Sequence, residues 1–240
     1  MPLIVKIIKL SYSVRIANYI RARSGEHKEE RLNQIKSVTA SLFESIPYAE
    51  LTLTTIAEKL GCSRANLYKY ISTKEEIILE IASDKMAVYY NSLLSAFPEG
   101  NNFSVEVISE VWAGILNANQ DYMRYVSYLN PVIETNVTVE RLSVFKKSYY
   151  EKANALCDRL SAMLNISFKR AYKIQLDVLF FASSNAICCY KNPLVQEALK
   201  LIEITPPKMD FYKDMKEFVL MRIQWEKSFS APLLSDELSG

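Results

Sequence analysis

Residues 53–72, which read LTTIAEKLGCSRANLYKYIS, constrain the fold more than any other segment of this chain. Gly61 stands where a short helix must end with a residue at positive φ, and Ser63 can accept hydrogen bonds from the first amides of a second helix. The segment therefore predicts two helices packed at a steep angle, a helix-turn-helix. Their apolar faces, built from residues three or four apart, are Ile56, Ala57 and Leu60, then Leu67 and Ile71.

The second of these helices leaves a polar face outward. Arg64 can form two hydrogen bonds with guanine, Asn66 can do the same with adenine, and Ala65 can contact the methyl group of thymine. An ordinary surface helix with solvated charges is the alternative interpretation. The apolar spacing, the glycine and the cap agree with one another and favour a helix that reads a DNA duplex.

Phosphate contacts are expected around the same helix. Thr54 lies near the amide-rich start of the first helix, and Lys74 opens a further helix capped by Thr73 and Glu76, where we expect it to point toward the same face. We therefore predict that double-stranded DNA contacts Thr54, Ser63, Arg64, Ala65, Asn66, Tyr68, Lys69, Tyr70 and Lys74.

The run TLTTIA at residues 52–57, followed by SRANLYKYI at 63–71 and KE at 74–75, resembles the tetracycline-repressor (TetR) family. The resemblance covers about residues 30 to 85. Ile71 replaces the commoner Phe, and Asn66 and Lys69 stand where Thr or Gly and Tyr are frequent. These departures bear on the operator sequence and leave the motif intact.

The chain as a whole is patterned for helices. Half of its 240 residues are hydrophobic, only five are glycine, and apolar residues from Glu30 onward are mostly three or four apart. We predict an all-α fold, with an N-terminal three-helix helix-turn-helix head and a C-terminal helical-bundle body. The expected divisions are a basic N-terminal extension (1–27), the DNA-binding domain (28–75), a connecting helix (76–97), the ligand-binding and dimerisation body (98–230) and a mobile tail (231–240).

Turn-forming residues divide the body into helices. Pro98-Glu99-Gly100-Asn101-Asn102 is the clearest break, and Ser104 is placed to cap the helix that follows. Further breaks are expected at Pro131, Asn165, Pro193 and Pro206-Pro207. The head should begin with a helix at 28–45, and the body should contain helices at 104–117, 119–129, 137–164, 168–190, 194–203 and 209–229.

Charge is distributed unevenly. Residues 1–75 contain twelve Lys and Arg against seven acidic residues, whereas residues 76–240 contain seventeen against twenty. A basic head favours a polyanion and predicts salt-dependent binding. The first two dozen residues are basic but too interrupted to span a bilayer or form a secretory signal, so we expect no membrane partner and a cytoplasmic location. An ordered arm, a basic arm on DNA and sequence upstream of the functional start are the alternatives for this segment.

Residues for metal binding or catalysis are sparse. The four cysteines show no metal-ligand spacing, and His27 is the one histidine. No nucleophile elbow or phosphate-binding glycine loop occurs. We therefore predict no metal, no cofactor and no enzymatic activity.

The resemblance implies that the body binds a small-molecule effector and forms a homodimer through its last two long helices. Aromatics at helical spacing are as consistent with plain core as with a binding site. The ligand candidates are Trp112, Leu116, Tyr122, Tyr125, Tyr128, Phe145 and Tyr149. The dimer candidates are Leu176, Phe180, Ser184, Ile187, Phe218, Met221, Arg222 and Trp225.

The helix-turn-helix pattern predicts a sequence-specific DNA-binding protein. Together with the resemblance it implies a regulator of transcription, a homodimeric repressor that a ligand releases from a palindromic operator. The alternative is a ligand-independent DNA-binding structural or protein-interaction factor with the same head. A dry, filled core between residues 104 and 164 would favour that factor, and an enclosed cavity with a few polar groups would favour the ligand-responsive regulator.

Overall fold

The structure, a computed structural model, describes residues 27–189 and 193–229. These residues form helices and connecting turns without any strand, which confirms the all-α prediction. The predicted tail, and the predicted N-terminal extension apart from His27, lie outside the described residues. The helices are α1 (27–45), α2 (Leu53–Lys59), α3 (Arg64–Leu67), α4 (Lys74–Ala96), α5 (Val105–Ala118), α6 (Gln120–Tyr128), α7 (Val139–Leu164), α8 (Phe168–Cys189), α9 (Pro193–Leu201) and α10 (Phe211–Ser228).

The chain divides into two compact units, which meet in sequence between Ile78 and Leu79, inside α4. In the first unit, apolar side chains of α1, α2, α3 and the start of α4 are buried together. Burial of such side chains is the main favourable term that holds these short helices in place. The most deeply buried are Ile35, Leu51, Ile56, Leu67, Ile71, Ile77 and Ile78.

Side-chain caps start the helices where the sequence predicts them. Thr52 accepts from the amide of Thr55 while its own amide donates to the Thr55 side chain, a reciprocal capping box. Ser63 accepts from the amide of Asn66, and Ser104 accepts from the amide of Val107. These caps satisfy amides that have no partner inside their own helix.

The recognition helix α3 is shorter than its pattern predicts. After Leu67 the backbone leaves the α-helical register, because the amide of Tyr70 bonds the Leu67 carbonyl three residues back. The amide of Ile71 bonds the same carbonyl at 3.2 Å, and the Ile71 side chain is buried. Residues 68–71 therefore form a turn, and the buried Ile71 side chain anchors the end of that turn.

Pro131 does not end its helix, contrary to the sequence-based expectation. The chain continues from α6 into a π-helical turn, Leu129–Ile133, in which the amide of Glu134 bonds the Leu129 carbonyl at 2.9 Å. Proline lacks the amide needed for an ordinary i to i−4 bond, and the wider turn avoids that requirement. By contrast, Asn165 does end α7, in the left-handed conformation at φ 52°.

The second unit is a bundle in which α10 packs against α5 and α8, and α8 also packs against α6 and α7. Its core is rich in aromatic residues: Trp112 donates from Nε1 to the Tyr89 hydroxyl at 2.9 Å, and both side chains are fully buried. Arg159 of α7 donates to the carbonyl of Phe97 at 2.9 Å, next to the end of α4. Within the described ranges, no helix is both long and apolar enough to cross a membrane.

Replacing Gly61 tests the turn between α2 and α3. Gly61 has φ +63°, and an added Cβ would meet no atom within 4 Å, so Gly61→Ala should destabilise the first unit by about 1 kcal/mol through backbone strain alone. Gly114, inside α5, also has open space, and Gly114→Ala should stabilise the second unit by about 0.5–1 kcal/mol. Urea unfolding followed by circular dichroism measures both. An unchanged stability in Gly61→Ala would contradict the strain argument.

Candidate nucleic-acid interface and ligand cavity

The recognition segment, residues 63–71, is anchored by buried apolar residues and presents polar residues outward. Leu67 and Ile71 are buried in the first unit. Ser63, Arg64, Ala65, Tyr68 and Lys69 are exposed, and Asn66 and Tyr70 are half-buried. The structure therefore brings the sequence-predicted base-reading residues together on one short, capped helix.

Arg64 is already oriented by a neighbour. Its Nη2 donates to the Tyr68 hydroxyl at 2.7 Å, and the guanidinium lies 5.7 Å from the centroid of the Tyr68 ring. Both side chains are exposed, so this contact contributes little to stability. It does restrict the rotamers of a side chain whose fork of donors suits guanine or phosphate, which lowers the entropy lost on binding.

Thr54 and Lys74 differ in their surroundings. Thr54 is exposed in the first turn of α2, as predicted. Lys74 instead donates from Nζ to the carbonyl of Tyr48 at 3.0 Å and lies 4.0 Å from the centroid of the Tyr48 ring. The Tyr48 hydroxyl in turn donates to Glu75 at 2.6 Å. The structure thus places Lys74 against the loop before α2, a position that helical patterning alone does not indicate.

The second unit contains a half-open cavity of about 180 Å³ lined by α6, the π-helical turn, α7 and α8. Three predicted ligand residues line it, namely Tyr122, Phe145 and Tyr149. The structure places Trp112, Leu116 and Tyr125 in the core and Tyr128 in a half-buried position, all away from this cavity wall. The other lining residues are Val126, Leu129, Asn130, Glu134, Lys146, Tyr150, Tyr172, Leu176, Leu179 and Phe180.

Two predicted dimer residues, Leu176 and Phe180, line this cavity. Sequence reasoning missed Tyr172 as their partner on α8. The spacing 172, 176, 179 follows one face of a helix and was the available signal. The helices that this face of α8 contacts depend on the packing of the bundle, and here they are α6 and α7.

Tyrosine hydroxyls behind the cavity form a buried polar network. Gln175 donates from Nε2 to the Tyr90 hydroxyl at 2.6 Å, and Tyr149 interacts with both residues. Burial raises the pKa of Tyr149 to about 12 and the pKa of Tyr122 well above its ordinary value. These hydroxyls therefore stay protonated at neutral pH, where each can donate and accept a hydrogen bond.

The cavity wall also holds one compensated pair of charges. Lys146 donates from Nζ to Glu134 at 2.7 Å, and the Glu134 side chain is only 15% exposed.

No group of His, Cys, Asp and Glu among the described residues could hold a metal ion. Burial raises the pKa of the Cys157 thiol to about 12, which keeps it in the unreactive protonated form.

An exposed apolar surface extends along α8 and α10. Phe181 and Phe218 stack with ring centroids 3.9 Å apart, while Ile187, Met221 and Trp225 are exposed. Ser184 is exposed as well. Arg222, another predicted dimer residue, is buried instead. It donates to Asp177 at 2.5 Å and pairs with Glu226, so it ties α10 to α8 within the protomer.

Alkaline pH should destabilise the second unit through its buried tyrosines. An unfolded tyrosine ionises near pH 10, whereas folded Tyr149 keeps its proton up to about pH 12, so the free energy of unfolding should fall as pH rises through 10. Tyr149→Phe removes one such proton and should make that fall shallower. Urea unfolding between pH 8 and 11 measures both slopes, and equal slopes would contradict the burial of this hydroxyl.

Two protein-family models match this chain. The family model for bacterial regulatory proteins of the tetR family matches residues 35–81, and the model for the tetracyclin repressor-like C-terminal domain matches residues 84–224. No curated protein matches the chain. Together the two family models cover most of the chain, including the recognition segment and the cavity.

Solved structures share the fold at low sequence identity. A TetR/AcrR regulator from Thermobifida fusca YX-ER1 has a TM-score of 0.55 and 16% identity, over 81% of this chain and 97% of that one. FadR from Bacillus halodurans, a fatty acid degradation regulator, has a TM-score of 0.52 and 15% identity, over 80% and 94%. The family models and the shared fold show that this chain belongs to the TetR family of DNA-binding transcriptional regulators.

Proposed function

We propose that this protein is a homodimeric repressor that binds a palindromic operator and is released when a small molecule occupies the cavity in its second unit. The observation that carries the proposal is the capped recognition helix, which presents Arg64, Ala65 and Asn66 on a buried apolar base. Because the proposed partner is DNA, the proposal includes action in the cytoplasm.

The recognition segment has the side chains needed to distinguish base pairs. In the major groove, Arg64 matches guanine, Asn66 matches adenine, and the Ala65 methyl group matches thymine. Lys69 and Thr54 are exposed and suited to phosphates, which position the helix without reading sequence. In a symmetric dimer, two such helices would enter successive major grooves roughly 34–36 Å apart.

Substitutions in the recognition segment test this division of roles. Arg64→Ala and Asn66→Ala should each cost about 1–3 kcal/mol on operator DNA and much less on random duplex, whereas Lys69→Ala should weaken both alike. Binding to DNA flanking the protein's own coding region, against random duplex of equal length and over a range of salt, measures these losses. Lys147→Ala removes an exposed charge from the second unit and is the control. Equal losses on both duplexes for Arg64→Ala and Asn66→Ala would reject the base-reading assignment.

The cavity favours a ligand-responsive regulator over the ligand-independent alternative. It is half open to solvent, with walls of aliphatic and aromatic side chains and a few polar groups, including the Lys146–Glu134 pair. A ligand-independent factor would be expected to fill this space with side chains. A dry core that binds no small molecule in solution would restore the alternative.

The start of α7 is the proposed route from the cavity to the DNA. Phe145 borders the ligand cavity and also a second cavity that Leu79 and Glu80 of α4 help to line. One turn earlier, Arg141 donates to Glu80 at 3.0 Å. A ligand that moves Phe145 would therefore act on α4, whose first residues belong to the DNA-binding unit. Coupling of about 1–3 kcal/mol would suffice for release.

We assign the dimer interface to the exposed apolar surface of α8 and α10. The Met221 and Trp225 side chains are 56% and 57% exposed. Apolar side chains that are exposed together on one surface, unlike single ones, usually mark an interaction site. Continuous burial of such a surface between two copies is the usual basis of a stable homodimer.

Charge placed on this surface should separate the protomers. The double variant Met221→Arg, Trp225→Arg should sediment as a folded monomer, because a dimer would bury two uncompensated charges per protomer. Val88→Arg, at a similarly exposed apolar position on α4, is the control and should leave the dimer intact. Analytical ultracentrifugation distinguishes the species, and a dimer that persists in the double variant would place the interface elsewhere.

A further inference from the structure

We propose that the cavity takes an uncharged, single-ring aromatic compound that carries a hydroxyl group, a phenol. This inference rests on the proposed ligand-responsive function and names the ligand class of the same site. Four properties of the cavity carry it: its volume, its aromatic walls, its balanced charge and its protonated hydroxyls.

The volume favours a ligand of about one ring. An apolar protein cavity of about 150 Å³ binds benzene, and this half-open one is about 180 Å³. One aromatic ring with one or two small substituents fits such a space. A long acyl chain or a fused polycyclic compound would extend through the opening into solvent and bury less of its surface.

The walls favour an aromatic ring over an aliphatic one. Six aromatic side chains surround the space, and two of them, Tyr149 and Tyr150, lie at 71° to each other with centroids 5.2 Å apart. A planar ligand can then stack on one ring and meet the edge of the other, the two arrangements that aromatic pairs prefer.

The charge balance disfavours an ionised ligand. Glu134 and Lys146 neutralise each other at 2.7 Å, so the wall has no uncompensated charge to offer. A carboxylate would have to displace Glu134 from Lys146, and an ammonium group would have to displace Lys146 from Glu134. Either exchange leaves one partly buried charge without its partner, which is costly.

The hydroxyls favour a ligand that can both donate and accept. Tyr149 borders the cavity and is protonated at neutral pH because burial raises its pKa to about 12. Gln175 and Tyr90 already use part of the capacity of this hydroxyl. A phenolic hydroxyl, which can donate or accept, suits whichever position remains, whereas a bare hydrocarbon ring cannot pair with it. The net gain from one neutral hydrogen bond corresponds to about three- to tenfold in affinity.

Binding of matched probes to the full-length protein without DNA tests the proposal. We expect phenol to bind at least about tenfold more tightly than benzoate or benzylammonium, and more tightly than cyclohexanol and toluene, by isothermal titration or ligand-detected NMR. A charged ring or cyclohexanol that binds as tightly as phenol would overturn the proposal, as would the absence of phenol binding.

Two variants locate the site. Tyr149→Phe keeps the ring and should weaken phenol about three- to tenfold while leaving toluene unchanged. Tyr212→Phe, on α10 and outside the cavity lining, should change neither. Leu176→Trp fills the space and should weaken both probes, with folding checked by circular dichroism. Unchanged phenol affinity in Tyr149→Phe and Leu176→Trp together would reject this cavity as the site.

A DNA arm separates this inference from the proposed function. Phenol that binds in the cavity but leaves operator affinity unchanged supports the ligand class and argues against release by ligand. Operator binding that is specific, together with preference for a charged ring, overturns the ligand class and leaves the repressor intact.

Discussion

A helix of four residues cannot hold its conformation in water alone, and the proposed DNA-reading surface of this protein is built on one. Helix α3 persists because Leu67 and Ile71 are buried in the first unit and because Ser63 caps its first amides. Gly61 supplies the left-handed turn that brings α3 against α2. The inward residues fix the backbone, so the outward residues can differ without loss of stability. Stability and the proposed DNA recognition therefore depend on opposite sides of the same short segment.

The second unit is compact and still contains a cavity. Buried tyrosines allow both: their rings fill the core, and their hydroxyls bond one another and Gln175. Helix α8 contributes to the cavity with Leu176 and to the exposed apolar surface with Ile187. The proposed ligand site and the proposed dimer interface thus share one helix, so we expect substitutions there to affect both properties.

Local signals predicted the local structure well. The caps at Thr52, Ser63 and Ser104 and the stop at Asn165 depend on side chains within a few residues, and the structure has them. The contacts between distant parts of the chain depend on long-range packing, which local signals do not encode. The bond from Lys74 to the Tyr48 carbonyl joins residues 26 apart, and no helical pattern encodes it. Likewise, the partners of Tyr172 in the cavity come from α6 and α7, so its role follows only from the assembled bundle.

The π-helical turn at Pro131 has a consequence for how such a regulator diversifies. Leu129, Asn130 and Glu134, in or next to that turn, form part of the cavity wall, yet the caps of α7 and the packing of α8 on α10 do not involve them. Leu129 is buried in the core and Glu134 accepts a hydrogen bond from Lys146 of α7, whereas Asn130 is exposed. Asn130 is therefore the position in this turn at which the shape of the cavity can change at least cost to the packing of the bundle.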